Sequence, residues 1–428
     1  MNTSTKFIIA FFLGAICLTS CLEDSCEETR TFMEFEAVYA HPNEFRTDPT
    51  YIPSKELISP GKIYYYNNLL MINEKNEGIH IYDNSNPASP IYNGFISIKG
   101  NLDVTIKNDI LYADSYVDLL TIDVSDFTSP TLLCRDEEVF DVYGWTEDRG
   151  YYIGTKSTER TLEVECNDPN FRNDIFWLED GVFLDSGGVG GGFDTSAPTT
   201  TTANQLTGVG GSFARFSVID NNLYVLNTSE LVAYNLDNPS KPVETLTTVV
   251  DWRIETIFPY KDYLFIGGEA GMYIYDRRDP DAPSYVSAFQ HARACDPVYV
   301  SNEVAYVTLR NGNQCQGFVN QLDVIDISNI ETPTLIATHE MENPHGLAIR
   351  DNNIYLCEGE HGIKVFKNDN LETISNNRIA HIEGVHAYDA ISISRELLII
   401  VGDDGLYQYD SSDPSNLTQI SYIATNGE

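Results

Sequence analysis

Charged and imidazole side chains recur at one point of a repeating sequence pattern, where a short strand pattern begins. They are four aspartates, two arginines and two histidines: Asp103, Asp141, Arg215, Arg253, Asp296, His345, His386 and Asp389. Carboxylates bind cations or accept protons, imidazoles transfer protons near neutral pH, and guanidinium groups hold anions. If the fold gathers these groups in a concave mouth, they form a candidate site for a small ligand. The alternative, which we favour from sequence, is that they pair with one another and with water.

Sequence motifs of common catalytic and metal sites are missing from the chain. There is no Gly-x-Ser-x-Gly elbow, no His-Glu-x-x-His pair, and no Lys-Ser/Thr after the glycine-rich stretch that would make it a phosphate loop. An Asp-x-Asp-x-Asp-Gly calcium loop is also missing, so calcium would need carboxylates from separate repeat units. We therefore assign no catalytic residue, no metal ligand and no cofactor, with calcium kept as the alternative.

The elements that would position the charged residues belong to a repeated phrase, in which an alternating apolar run ends in Asp and a polar turn closed by Pro. The copies are GIHIYDNSNPASP (78–90), DLLTIDVSDFTSP (118–130), ELVAYNLDNPSKP (230–242), GMYIYDRRDPDAP (271–283), QLDVIDISNIETP (321–333), the weaker GIKVFKNDNLETI (362–374) and GLYQYDSSDPSNL (405–417), and a truncated TLEVECNDP (161–169). Asp or Asn side chains bond backbone N–H groups two residues on, and Pro ends the strand, so each turn is set locally.

Each phrase is preceded by a strand, a short polar turn and a second strand, as in DVTIKNDILYADS (103–115), and is followed by a further strand. One unit thus supplies four short antiparallel strands, and such sheets bury both faces when they pack around an axis. The sequence predicts an all-β fold, a β-propeller of four-stranded blades. Eight unit openings favour eight blades, with seven as the alternative if the irregular third unit forms no blade.

The N-terminus has the features of a bacterial lipoprotein signal. An apolar run from Phe7 to Leu18 leads into Leu-Thr-Ser-Cys, which predicts a signal peptide at 1–20 and lipidation of Cys21. Residues 21–57 are predicted to be an acidic tether and an irregular N-terminal segment, in which TFMEFEAVYA (31–40) either adds an edge strand or lies on the surface. Residues 58–428 are predicted to be the propeller. Within it, a Gly/Thr-rich insertion at about 170–212 is predicted to be a long loop over one rim, either a lid or a tolerated insertion.

Composition restricts the partners. Against 64 acidic residues stand only 26 basic ones, a formal net charge of -38, so nucleic acid is disfavoured and the membrane is reached by the lipid anchor alone. An oxidising compartment favours disulfides. We predict a pair between Cys295 and Cys315, which bracket neighbouring strand patterns, and a second between Cys134 and Cys166.

The phrase LDVIDIS (322–328) resembles the repeat of the LVIVD family, and the resemblance covers nearly all of the chain from about residue 60. The stretch from Gly61 to YADSYVDLLTID is similar to the N-terminal half of Bacteroidetes lipoproteins that carry these repeats. The acidic LEDSCEE (22–28) resembles their signal for export to the outer face of the outer membrane. The resemblance implies a propeller on an outer-membrane lipoprotein, at the cell surface rather than the periplasmic face, and implies no activity.

From these observations we expect a non-catalytic scaffold that binds a protein or a glycan at the cell envelope. The alternative is an enzyme, a hydrolase or lyase acting on a glycan or a small metabolite at the mouth of the central channel. Propellers host both kinds of function, so the fold does not choose between them.

Overall fold

The computed structural model describes residues 27–140, 144–165, 175–177, 183–185, 209–210, 212, 214–291, 297–310 and 319–425. The regular secondary structure of these residues is almost entirely β-strand, with turns and irregular segments between the strands. The described helical elements are one helical turn, α1 (Pro42–Phe45), and a 3₁₀ turn (Ile374–Asn376). Within the described ranges, no helix is long and apolar enough to cross a bilayer.

The described residues contain seven antiparallel blades, each built on four consecutive strands, and we number them 1 to 7. Six of them are four-stranded sheets, and the sheet of blade 1 has one further strand at each edge. Blade 1 contains β3 (Pro60–Tyr66), β4 (Leu69–Glu74), β5 (Gly78–Asp83) and β6 (Ile91–Ser97). Blade 2 contains β7 (Val104–Lys107), β8 (Ile110–Ser115), β9 (Asp118–Asp123) and β10 (Thr131–Asp136). Blade 3 contains β16 (Phe216–Ile219), β17 (Asn222–Leu226), β18 (Glu230–Asn235) and β19 (Val243–Val249). Blade 4 contains β20 (Ile254–Tyr260), β21 (Tyr263–Gly268), β22 (Gly271–Asp276) and β23 (Ser284–Gln290).

The last three blades follow the same plan. Blade 5 contains β24 (Val298–Ser301), β25 (Val304–Leu309), β26 (Gln321–Asp326) and β27 (Thr334–Glu340). Blade 6 contains β28 (Leu347–Arg350), β29 (Asn353–Cys357), β30 (Ile363–Lys367) and β31 (Arg378–Ile382). Blade 7 contains β32 (Ala387–Ser392), β33 (Leu397–Gly402), β34 (Gly405–Asp410) and β35 (Thr418–Ala424).

The first strands of the blades form the inner ring of a β-propeller. Contacts run in order from β3 to β7, β16, β20, β24, β28 and β32, and β33 of blade 7 contacts β3. Apolar side chains fill the spaces between neighbouring blades, including Ile63 of blade 1 against Ile399 of blade 7. The ring of described sheets therefore closes through seven blades, and the favoured count of eight is not confirmed.

The third predicted unit is where the pattern departs from a blade. Its truncated copy at 161–169 lies partly in β12 (Gly150–Glu165), a long strand that pairs with β1 (Glu27–Ala40) and, at its start, with β11 (Trp145–Thr146). Residues 166–169 lie outside the described residues. Residues 31–40, for which an edge strand was one of two alternatives, thus lie in the edge strand β1. Another part of the segment predicted to be irregular, β2 (Thr50–Ile52), adds to the outer edge of blade 1 beside β6.

The chain divides into two compact units. One comprises residues 1–38 and 154–188, whose described part holds most of β1 and β12 and a hairpin of β13 (Ile175–Trp177) and β14 (Phe183–Asp185). The other comprises residues 39–153 and 189–428 and contains all seven blades. It also contains β15 (Val209–Gly210), which pairs with β3 on the edge that faces away from β4.

The predicted Asp turns are confirmed in six blades. In blade 1 the Ser85 N–H donates to Asp83 Oδ1 at 2.9 Å, and the same bond two residues on recurs from Ser125, Asp237, Arg278, Ser328 and Ser412. In blades 1, 2, 5 and 6 both residues of the turn between the first and second strands have the left-handed backbone typical of two-residue hairpins, as at Asn67 and Asn68 with φ of 48° and 63°. Local turn chemistry therefore fixes where each strand ends.

The same polar turn also joins neighbouring blades. The carbonyl of Pro239 accepts a hydrogen bond from Tyr112 Oη of the preceding blade at 2.9 Å, and Pro280 accepts one from Tyr224 Oη at 2.9 Å. The equivalent carbonyls of Pro87, Ile330 and Leu371 contact Gln408, Ser287 and His339 in the same way. The repeated turn thus presents a backbone acceptor to the blade before it.

The closure between blades 7 and 1 is made by a buried pair of side-chain amides. Asn84 Nδ2 donates to Gln408 Oε1 and Gln408 Nε2 donates to Asn84 Oδ1, both at 2.8 Å. The two residues are 1% and 0% exposed. Because no strand is exchanged between the first and last blades, this pair and the apolar contacts around it hold the ring shut.

We expect Gln408→Ala to lower the free energy of unfolding by about 1 to 3 kcal/mol, because it leaves the buried Asn84 amide without its reciprocal partner. Urea unfolding followed by fluorescence measures the change. Gln419→Ala is the matched control, since Gln419 lies exposed in the same blade. Equal effects of the two substitutions would show that the amide pair contributes nothing specific to ring closure.

Candidate functional site

The mouth of the channel contains a buried ion pair between blades 1 and 2. Lys62 Nζ bonds to Asp103 Oδ2, and both side chains are 3% exposed. The same carboxylate oxygen accepts the backbone N–H of Arg215 at 2.7 Å, and Oδ1 accepts that of Val104 at 2.8 Å. Asp103 therefore links the entrances of the first strands of three blades.

Asp114, at the end of β8, forms the second carboxylate of this network. Its Oδ1 accepts the backbone N–H groups of Leu102 at 2.7 Å and Asp103 at 2.9 Å, while Oδ2 pairs with Arg215 Nη2 at 2.5 Å. Burial raises the pKa of Asp114, and the Arg215 guanidinium opposes that rise. The charges in this part of the mouth thus compensate one another.

Burial lowers the pKa of Lys62 to about 8, although the Asp103 carboxylate favours the charged ammonium. Between this value and the ordinary lysine pKa of 10.5, the unfolded chain keeps a proton that the folded chain releases. Folding is then favoured as the pH rises, because the unfolded state binds more protons in this window. The contribution of Lys62 to stability is therefore least favourable below about pH 8.

We expect the stability of the wild type relative to Lys62→Met to increase by about 1 to 2 kcal/mol between about pH 7.5 and about pH 9.5. Denaturant unfolding of both proteins at a series of pH values measures this difference. Lys241→Met, at an exposed lysine, should show no such trend. A constant or falling difference for Lys62→Met would contradict the depressed lysine pKa.

Asp389 lies in β32 of blade 7, the blade next to blade 1 on the side away from blade 2, and holds a serine from the insertion. Its Oδ1 accepts both the Ser212 hydroxyl at 2.8 Å and the Ser212 N–H at 3.1 Å. The Ser212 oxygen in turn accepts the Leu347 N–H at 3.0 Å. Ser212 and Asp389 are 0% and 1% exposed. The end of the predicted rim loop therefore lies buried against blades 6 and 7.

The two histidines of the predicted set both contact the Tyr388 ring. The His386 ring is 4.8 Å from the Tyr388 ring and the His345 ring 5.0 Å from it. His386 Nδ1 is 2.9 Å from Asp403 Oδ2, which also accepts the Tyr388 hydroxyl, and the His386 side chain is 40% exposed. His345 is buried, and its pKa is well below the ordinary value because of burial, Arg310 and His386. His386, Tyr388 and Asp403 form an accessible cluster with acid–base groups.

The remaining predicted residues are only partly within the described structure. Arg253 has a left-handed backbone, with φ of 54°, and its Nη1 is 3.4 Å from Glu269 Oε2. Asp141 and Asp296 lie outside the described residues, as does the lipidation residue Cys21. The mouth thus brings together Asp103 with Arg215 and His345 with His386, whereas Asp389 binds the insertion.

Of the four cysteines predicted to form disulfides, the structure describes only Cys134. Cys295, Cys315 and Cys166 lie outside the described residues. Cys134 is a free, half-buried cysteine, which gives no support to its predicted pairing with Cys166. Cys357, for which no pairing was predicted, is a free buried thiol whose pKa is raised by burial.

Sequence reasoning missed the carboxylates at the end of the second strand of a blade or directly after it. Glu74 accepts the backbone N–H groups of Ile58 and Ser59, and Glu358 those of Glu342 and Asn343, in the manner of Asp114. An acidic residue recurs at this point of the repeat, and that recurrence was the available signal. These side chains fix the chain as it enters the inner strand. No group of three or more potential metal-ligating residues is present among the described residues.

Comparison with known proteins supports the fold. No model of a protein family matches the sequence, and no curated protein compared with it is significantly similar. The periplasmic gluconolactonase of Pseudomonas aeruginosa is 8% identical, with a TM-score of 0.52 over 86% of this chain and 96% of that one. Sqt1 of Saccharomyces cerevisiae is 10% identical, with a TM-score of 0.50 over 89% and 88%. At such identities the likeness shows the fold alone.

Proposed function

We propose that the protein is a non-catalytic binding scaffold of the bacterial outer membrane, which presents the loops of its blades to a protein or glycan partner. The observation that carries this proposal is that polar groups at the channel mouth are engaged within the chain itself. Asp103 is bonded to Lys62, Asp114 to Arg215, and Asp389 to Ser212. A catalytic site requires groups that meet the substrate, and these groups are already committed to structural bonds.

The proposed cellular location and family rest on the sequence. The lipobox that ends at Cys21 supports a lipid anchor, and the acidic run at 22–28 supports the cell surface. The LDVIDIS phrase and its copies support membership of the LVIVD repeat lipoproteins of Bacteroidetes. The net charge of -38 favours a partner that is neutral, basic or cation-bridged.

The second candidate is an enzyme, a hydrolase or lyase acting on a glycan or small metabolite. The observation that favours it is the cluster of His386, Tyr388 and Asp403, because a half-exposed imidazole paired with a carboxylate is suited to proton transfer. This cluster lies at the mouth, where a propeller would receive a substrate.

The proposed lipid anchor and cell-surface location are tested in cells that produce the full chain. The wild-type protein should incorporate a labelled fatty acid, whereas Cys21→Ser should not. Protease added to intact cells should degrade the propeller of the wild-type protein. A labelled protein that resists protease on intact cells, yet is degraded after lysis, would place it on the periplasmic face. An unlabelled wild type would overturn the lipoprotein proposal.

Scaffold and enzyme are separated by pairing a binding assay with a turnover assay. The domain without its leader and Cys21 is immobilised and exposed to envelope proteins and glycans from the same cells, and each ligand found is then titrated in purified form. The scaffold predicts saturable binding of a ligand that is recovered unchanged and is bound equally by His386→Ala. The enzyme predicts turnover of a ligand and a loss of about 10²-fold or more in His386→Ala and Asp403→Asn.

A further inference from the structure

The end of the insertion occupies the centre of the propeller. We call residues 209, 210, 212, 214 and 215, the described residues at this end, the channel segment. Its described residues contact five of the seven described blades: β15 pairs with β3 of blade 1, Arg215 bonds to Asp103 at the entrance of blade 2, Ala214 accepts the N–H of Ile257 in blade 4, and Ser212 contacts Leu347 of blade 6 and Asp389 of blade 7. Only a segment near the axis can reach so many blades at once.

Backbone pairing holds one part of this segment. Val209 lies opposite Tyr65 and Gly210 opposite Tyr64, in an antiparallel ladder on the inner edge of β3. Addition of an extended segment to an open sheet edge is a common mode of peptide recognition, in which main-chain hydrogen bonds supply affinity. The inner edge of blade 1 is therefore a strand-accepting edge, and in this structure the chain fills it itself.

A receptacle for a serine hydroxyl holds the other part. The hydroxyl donates to Asp389 and accepts the Leu347 N–H, so both its hydrogen-bonding functions are met. Gly346 leaves the space for it, because a Cβ there would lie 2.6 Å from Ser212 Oγ. A carboxylate, an N–H group and a glycine thus make a complete site for a small hydroxyl side chain.

We propose that the channel is a peptide-binding site, occupied in cis by the channel segment, which also accepts an extended partner peptide with the pattern Gly-x-Ser. The partner pairs with β3 at its glycine and places its serine hydroxyl between Asp389 and Leu347. This inference deepens the proposed scaffold function, since the peptide belongs to the scaffold's partner. The cis segment competes at a high effective concentration, so exchange requires that it leaves the channel.

The test uses the leaderless domain and a fluorescent peptide with the sequence of residues 206–215, LTGVGGSFAR. A Gly210→Pro/Ser212→Ala variant weakens the cis segment, because proline removes a strand N–H and alanine removes the hydroxyl. Fluorescence anisotropy should show that this variant binds the peptide at least tenfold more tightly than wild type. The peptide with Ser replaced by Ala should bind the variant at least tenfold more weakly. Ser412→Ala, at an exposed turn serine, should behave as wild type.

Hydrogen exchange of the wild-type domain provides a second readout that needs no variant. The amides of the channel segment should exchange through local opening, faster than those of β4 and β33 by at least tenfold. Exchange of the segment only with global unfolding would overturn the proposal, as would equal binding of the Ser and Ala peptides by the variant. If either occurs while the domain still binds an envelope ligand, the channel inference fails and the scaffold function stands.

Discussion

Asp103→Ala should lower the free energy of unfolding by about 3 to 5 kcal/mol, the usual cost of removing one partner from a buried ion pair. The substitution leaves the Lys62 ammonium, whose side chain is 3% exposed, without its carboxylate. It also removes the acceptor of the Arg215 and Val104 backbone N–H groups. Denaturant unfolding near pH 7, followed by tryptophan fluorescence, measures the effect.

Two controls separate the buried charge from a general effect of the substitution. Asp148→Ala removes an exposed carboxylate and should change stability by no more than about 0.5 kcal/mol. The double variant Lys62→Met/Asp103→Leu should recover the part of the loss that comes from the unpaired ammonium, because replacing a buried pair by apolar side chains is often neutral or stabilising. It should not recover the part that comes from the Val104 and Arg215 N–H groups, which leucine leaves without an acceptor. An Asp103→Ala effect as small as that of Asp148→Ala would contradict a desolvated pair at the mouth.

The strands of the blades could be predicted because their signals are local. The stretch 103–115 was predicted to contain strand, turn and strand, and it forms β7 and β8 around Asn108 and Asp109, both with a left-handed backbone. Alternation of apolar residues fixes the buried faces, and Asn/Asp turns fix the ends. These features recur along the chain, so the propeller fold followed from them.

The strand pairing of the third unit could not be predicted from the sequence. Residues 161–165 alternate like a blade strand, yet they lie in β12, whose partner is β1, more than a hundred residues away in sequence. Alternation states which face of a strand is buried and not which strand lies beside it. The truncated copy indicated that the third unit is irregular and left seven blades as the alternative, but it did not indicate that residues 161–165 pair with β1.

The role of the repeated turn was only half predicted. The Pro and Asp residues were expected to reverse the chain, and they do. The carbonyl that the same turn offers to the preceding blade, as from Pro239 to Tyr112, depends on how neighbouring blades align. Sequence periodicity gives each blade its own turn, but the contact between blades exists only once the ring is assembled.

The candidate site was also predicted only in part from the sequence. The repeat predicted that Asp103, Arg215 and His345 precede first strands, and they do precede β7, β16 and β28. The pairing of Asp103 and Arg215 depends on Lys62 and Asp114, which come from other points of the repeat. Ser212 stands in a glycine- and threonine-rich stretch without any chemical motif, so nothing in the sequence pointed to its bond with Asp389.

Gly346→Ala should detach the channel segment from its receptacle. A Cβ at this position would lie 2.1 Å from Asp389 Oδ1 and 2.6 Å from Ser212 Oγ, far inside contact distance. Two hydrogen bonds hold the backbone at Gly346 in place, so it cannot easily move away from Asp389. The Gly346 N–H donates to Tyr388 O at 2.8 Å, and the Gly346 carbonyl accepts the Cys357 N–H at 2.9 Å. The carboxylate must therefore turn away and release the serine. We expect a loss of about 1 to 3 kcal/mol in the free energy of unfolding, the usual cost of overpacking a core.

A double-mutant cycle with Ser212→Ala identifies the receptacle as the cause. If both substitutions act by breaking the same hydrogen bonds, the double variant should cost clearly less than the sum of the single variants, with a coupling of at least about 0.5 kcal/mol. Hydrogen exchange at Ser212 and Leu347 should accelerate at least tenfold in Gly346→Ala, while the amides of blade 4 keep their wild-type rates. Additive losses in the free energy of unfolding, with unchanged hydrogen exchange at Leu347, would mean that Gly346 contributes only to the packing of blade 6. The hydrogen bonds of Ser212 would then not be what holds the channel segment in place.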